Sequence, residues 1–259
     1  MLGRALEWDN LAAVAASALA WELLRLASLY VFLPSLPVKL SKKDISQLSV
    51  SVPAFLHAVV VSLMSLYVVL AYSNPPSLYD YIPLAQTIFC ISTGYFAWDI
   101  CMVFFVMPKL EPMFACHAII CFLSYLLAMY PYLHYYGVCF LLFELSTPFM
   151  YVRQTLIMFK QYLPELDLDS YIYKVEVAFA LIFAVVRIGF GFPMSYGVWR
   201  DVLSTQQPLG HHPFIPYYYV TADSLLCILN VLWMRAMVMR KLRPGKRTAA
   251  IASDGSKQD

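Results

Sequence analysis

FACHAIICFLSYLLAMYPYLHYYGVCFLLFELSTPFMYVRQ, Phe114 to Gln154, decides how the chain is read. Two strongly apolar segments meet at Tyr130-Pro131-Tyr132, and each carries one ionisable group deep inside it, His117 in the first and Glu144 in the second. A carboxylate at the middle of a membrane helix costs roughly 2.5–3.5 kcal/mol on insertion scales, so it persists only against a protein interior or a wet cavity. The flanking sequence repeats the pattern. Of 259 residues, 61% are hydrophobic and 13% charged, against about 25% charged in an ordinary soluble domain. The excess is concentrated in runs of membrane-spanning length, without period-two alternation. Lipid offers backbone amides no water, so such runs must be helices.

Outward from that stretch, apolar runs cover about Leu11–Leu33, Val50–Tyr72, Leu84–Met107, Met113–Tyr130, His134–Val152, Tyr171–Phe192 and Phe214–Val238. Pro34 and Pro37, Asn74-Pro75-Pro76 and Pro108 punctuate them. The expected fold class is all-α: a polytopic membrane protein of about seven transmembrane helices. The Ala-rich start is read as a retained helix rather than a cleaved leader, because Glu7 and Asp9 accompany Arg4 ahead of it. Glu22 and Arg25 stand one turn apart and can neutralise each other. Seven spans also sort the charges. Lys39, Lys42, Lys43, Lys109, Arg153, Lys160, Lys174 and the cluster from Arg235 to Arg247 fall on one side, with little beyond Arg4 and Arg200 on the other. The positive-inside rule then expects a cytoplasmic C-terminus and a lumenal or exterior N-terminus.

Other chemistries find little support. No GxSxG or phosphate-cradling Gly loop occurs, and nothing implies a cofactor. His211-His212 are neighbours in a loop, point apart and are read as surface, so no metal site is expected. The six cysteines lie in or beside apolar runs and are read as free thiols. The Arg240–Arg247 segment hugs the last helix and reads as a contact for anionic lipid, not nucleic acid.

What remains is a set of polar groups inside the spans: His57, Asp99, His117, Glu144, Arg187, Asp223 and Asn230. One reading makes them interhelical clasps, worth about 0.6 kcal/mol each on average. The other makes them the lining of a polar cavity that holds a lipid headgroup or transfers a proton, with Asp99 or Glu144 paired to Arg187. Spacing favours clasps for Asp99, Arg187 and Asn230, and leaves both readings open for His117 and Glu144. On a helix, His117 shares a face with Cys121 and Ser124.

Several segments, in order, resemble a known family: LHAVV around His57, STGYFAWD at Ser92–Asp99, the histidine at 117, FELSTPF at Phe143–Phe149, VVRIGFGFP at Val185–Pro193 and LNVLWM at Leu229–Met234. They are similar to the TLC-domain family, which includes ceramide synthases, translocating-chain-associated membrane proteins and small lipid-homeostasis proteins. The resemblance covers residues 41–243, preceded by an N-terminal helix within 1–40 and followed by a tail, 244–259, expected to be disordered and cytoplasmic. It implies six helices in a barrel around a polar cavity and a membrane of the endoplasmic reticulum. It also implies a membrane lipid as partner: a sphingolipid, an acyl chain or a phospholipid. His57, Asp99, His117, Glu144, Arg187 and Asn230 are then the expected cavity-lining residues. The chain departs from the enzymes of the family, however. Cys116-His117 stands where a His-His pair is usual, Pro108–Pro112 where ceramide synthases carry a second pair, and Glu144 with Ser146-Thr147-Pro148 where they carry an aspartate-rich pattern. The expected function is therefore lipid homeostasis, by binding or moving a lipid inside the barrel. The alternatives are an acyltransferase of the N-acylsphingosine synthase type with His117 as general base, and an accessory that binds other membrane proteins.

Overall fold

The computed structural model describes residues 8–72, 77–107, 112–204 and 214–242, with side chains through Met239. Arg4, Glu7, the Asn74-Pro75-Pro76 stop, Lys109, His211, His212, the Arg240–Arg247 cluster and the tail beyond 243 fall outside the residues so described. All regular structure among the described residues is helical: α1 (Trp8–Phe32), α2 (Lys42–Ala71), α3 (Pro83–Val106), α4 (Pro112–Ala128), α5 (His134–Lys160), α6 (Asp169–Ser204) and α7 (Phe214–Leu242). Six of these are long and apolar enough to cross a membrane, and α4 is a shorter apolar helix of 17 residues.

Contacts between helices close a ring in the order α2, α3, α4, α7, α6, α5 and back to α2, while α1 lies outside it against α2 and α3. Successive helices run in opposite directions. At one end, Tyr162 after α5 hydrogen-bonds Asp44 and accepts from the Ser41 amide at 2.9 Å, at the start of α2. At the other, the Leu133 amide ahead of α5 donates to the Leu78 carbonyl at 2.7 Å, ahead of α3. α3 therefore finishes at the first end and α5 begins at the second, so the short α4 must run the length of the bundle.

Local chemistry sets these boundaries. Ser41 caps α2 by accepting the Asp44 amide at 3.2 Å, while the Asp44 carboxylate takes the Ser41 hydroxyl at 2.6 Å. Pro83 opens α3, where its missing N–H costs nothing. α6 runs on past Pro193, where the apolar run was expected to stop. A π-helical stretch, Ala184–Phe190, has already changed the hydrogen-bond register there, so Pro193 sits as in a first turn. α5 likewise continues to Lys160, through the polar Arg153-Gln154-Thr155 and a further apolar turn, with Arg153 paired to Glu176 of α6 at 3.2 Å.

The outer face is the apolar one. Leu63, Tyr67, Leu70, Phe105, Leu181 and Val185 are all exposed, whereas Ser49, His57, Ser65, Ser92 and Thr93 are fully buried. That inversion is the arrangement a lipid solvent selects. α1 docks through small residues. Ser17 donates to the Ile91 carbonyl at 2.9 Å, and a Cβ on Gly94 would stand 2.6 Å from both Ser17 Cβ and the Val14 carbonyl. Glu22 and Arg25 pair at 2.5 Å, and Trp98 of α3 donates to the same carboxylate at 2.9 Å.

Candidate functional site

The chemistry of the barrel centres on two irregular helical turns that face each other. In α5 the residues Leu142–Ser146 form a 3-10 turn. Pro148 explains it: four residues after Glu144, it has no N–H to offer the Glu144 carbonyl, and its ring crowds that oxygen. The Thr147 amide turns back to the Glu144 carbonyl instead. A regular helix would have sent that amide to the Phe143 carbonyl, which is thereby released. In α6 the π-helical stretch Ala184–Phe190 aims Arg187 at the released carbonyl. Gly191 lets the helices close, since a Cβ there would meet the Phe143 ring at 2.7 Å.

Arg187 is buried and held from several directions. Its Nε donates to the Phe143 carbonyl at 3.1 Å and to Ser146 Oγ at 3.2 Å, Nη1 donates to Asn230 Oδ1 at 3.3 Å, and Nη2 to Thr147 Oγ1 at 3.5 Å. The guanidinium carbon lies 5.1 Å from the centre of the Phe183 ring, 5.7 Å from Trp233 and 5.9 Å from Phe143. Glu144 faces it at 3.8 Å, 9% exposed. At that separation the two attract as charges without a good hydrogen bond, so the carboxylate keeps acceptor capacity to spare.

These groups line a narrow cavity, with Glu144, Arg187, Asn230 and His117 on its wall beside Phe96, Cys121, Tyr125 and Leu226. His117 lies against Cys121, whose Sγ is 3.7 Å from Nδ1 and 3.8 Å from Nε2, and its ring meets Trp233 edge-on at 5.6 Å. Among the described residues no carboxylate hydrogen-bonds the imidazole.

The structure thus brings four of the expected residues together and leaves two outside. Asp99 does not line this cavity. It is half-buried on α3, close enough to Glu144 for their charges to interact. His57 is fully buried in an aromatic layer, stacked on Tyr95 at 3.7 Å with an interplanar angle of 7°. Neither of its ring nitrogens has a hydrogen-bond partner among the described residues. Phe96, on the cavity wall, packs edge-on against both His57 and His117. Composition alone gave no reason to single out the backbone of Phe143 or the hydroxyls of Ser146 and Thr147. Pro148, one helical turn after Glu144, was the available signal.

The TLC domain pattern matches residues 47–239, three quarters of the chain and all six helices of the ring. The chain belongs to the TLC-domain family. An uncharacterized TLC domain-containing protein of Schizosaccharomyces pombe is 28% identical over 170 residues, covering 63% of this chain and 54% of its own length. Another, from Saccharomyces cerevisiae, is 29% identical over 155 residues, covering 59% of this chain and 47% of its own. The matched region is about half the length of these curated relatives. No solved structure matches this TLC-domain protein.

Proposed function

We propose that this TLC-domain protein serves lipid homeostasis by holding or moving a membrane lipid inside its barrel, with the polar headgroup against Arg187, Glu144, His117 and Asn230. Within the family, its motifs resemble those of the small group called TLC domain-containing protein 4. The proposed setting is the endoplasmic reticulum, with the N-terminus lumenal and the C-terminus cytoplasmic. One observation carries the reading: a buried guanidinium and a carboxylate with spare acceptor capacity share the wall of a cavity lined from five helices of the ring. Simple clasps need no cavity, and a lipid headgroup that carries both charge and hydrogen-bonding groups suits both ends of the pair. The acyltransferase alternative asks His117 to be a positioned general base. A base without an orienting partner loses much of its rate, and Cys121 is the group nearest its nitrogens.

Native mass spectrometry of the protein extracted in mild detergent tests this. The wild type is expected to carry lipid adducts, and Arg187→Gln and Glu144→Gln to carry several-fold less while melting cooperatively. Absence of adducts from the wild type, or adducts indifferent to both substitutions, overturns the reading. Ceramide formed from sphingoid base and acyl-CoA in nanodiscs, and lost in His117→Ala, decides for the enzyme.

A further inference from the structure

The ion pair at the centre of the barrel is incomplete as a direct contact. Glu144 stands 3.8 Å from Arg187, and among the described residues no hydrogen bond reaches either of its carboxylate oxygens. The residue is nevertheless nine-tenths buried. An ionised carboxylate accepts at about four lone-pair sites, and leaving all of them unmet in a low-dielectric interior is costly. A polar contact stretched past about 3.5 Å leaves room for a bridging molecule.

Donors are left over on the same wall. Arginine can only donate, so Asn230 must turn its oxygen to Nη1, which it meets at 3.3 Å. Its amide nitrogen then keeps both N–H groups, and no acceptor among the described residues takes either. Arg187 engages its Nε–H, one N–H of Nη1 and one of Nη2, which leaves one on each terminal nitrogen. For hydrogen bonding, His117 meets only Cys121 Sγ, nearly equidistant from its two ring nitrogens at 3.7 and 3.8 Å. At most one of those nitrogens is engaged, and weakly.

Size and chemistry name the occupant. The space in this cavity open to water is about 30 Å³, where about 10–15 Å³ suffices for one molecule. An ammonium ion brings donors only, and a simple anion acceptors only. Water brings both, donating to Glu144 and His117 while accepting from Asn230 and a terminal nitrogen of Arg187. We propose that this cavity binds one or two water molecules, which join Glu144 to Arg187 and carry the polar network across to His117. The ion pair is solvent-bridged, and the barrel has a hydrated centre. The inference concerns the site before any lipid enters it; a headgroup that binds here must displace this water.

Radiolytic footprinting tests this, because a short X-ray pulse turns a bound water into a hydroxyl radical that oxidises the side chains beside it. Full-length protein is washed in detergent until native mass spectrometry shows no lipid adduct. It is then irradiated with a scavenger in the bulk solvent, which quenches radicals formed outside. His117 is expected to be oxidised at least tenfold faster than His57, the same kind of side chain packed flat on Tyr95. Glu144→Leu, which removes an acceptor, should lower His117 oxidation several-fold and leave His57 unchanged. Equal protection of both histidines means a dry cavity and overturns the proposal. Equal oxidation of both also overturns it, since water would then reach the interior at large rather than this site. So does unchanged His117 oxidation in a folded Glu144→Leu protein. The comparison of the two histidines uses the wild type alone, so the proposal stays falsifiable even if Glu144→Leu does not fold. Fast His117 oxidation in a protein that never carries lipid supports the water and refutes the lipid reading, so the two fail separately.

Discussion

His57 and His117 show how far single residues can be read. Both are histidines within apolar runs, and both were expected on a cavity wall. The structure separates them by what their rings touch: His117 faces the polar chamber beside Cys121, and His57 lies flat on Tyr95. Helical spacing shows that a ring is inside. It does not show which of several interior neighbours the ring meets, because that depends on the rotation of α3 against α2. The consequence for stability is specific. A buried polar group left unmet costs about 1–3 kcal/mol, and an apolar group of similar shape removes that cost, part of the gain being offset by the larger ring. His57→Phe is therefore expected to leave the fold intact and raise stability by about 1–3 kcal/mol, measured by chemical or thermal unfolding in detergent. A clear loss of stability would mean that the His57 nitrogens are bonded after all.

Helix existence was legible in the apolar runs, because nothing else satisfies a backbone in lipid. Helix extent was less so. α5 and α6 continue past the polar Arg153-Gln154-Thr155 and past Pro193 to Lys160 and Ser204, where hydropathy is interrupted but hydrogen bonding is not. The two irregular turns that build the site were written in Pro148 and Pro193, which sequence punctuation alone treats as a stop or a kink. How α1 attaches was also hidden, since Ala-rich helices offer no obvious contact face. The structure places that contact at Gly94, where any Cβ would collide with Ser17 and the Val14 carbonyl. Gly94→Val is thus expected to push α1 off α3, at a cost of about 1–3 kcal/mol typical of overpacking. Cys90 Sγ lies 3.8 Å from Asn10 Oδ1, so oxidation of an Asn10→Cys variant should cross-link the two helices. The cross-link should be lost when Gly94→Val is added, provided the outward-facing Cys101 and Cys116 are first replaced by serine. An undiminished cross-link would show that the close approach at Gly94 is not what seats α1.

For the whole molecule, the up-and-down order puts the start of α1 and the end of α7 at opposite ends of the bundle. Lys42, Lys43, Lys160, Lys174 and Arg235 gather at the end where α7 finishes. Tags fused to the two termini are accordingly expected to lie on opposite sides of the membrane, the C-terminal one cytoplasmic. Protease protection of sealed microsomes reads this directly, and two tags of equal accessibility would refute seven crossings. Ring closure itself was legible only through the family resemblance; apolar runs say nothing about which helices are neighbours. The ring also has walls of unequal height. At about 1.5 Å per residue, the 17 residues of α4 rise about 26 Å, short of a hydrocarbon layer of about 30 Å, whereas the 36 residues of α6 rise about 54 Å. A span as short as the described part of α4 is met by local thinning of the lipid, by snorkelling of flanking side chains or by packing against neighbours, and one as long as α6 by tilt. Mismatch with the bilayer is therefore expected to be greatest beside the helix that carries His117.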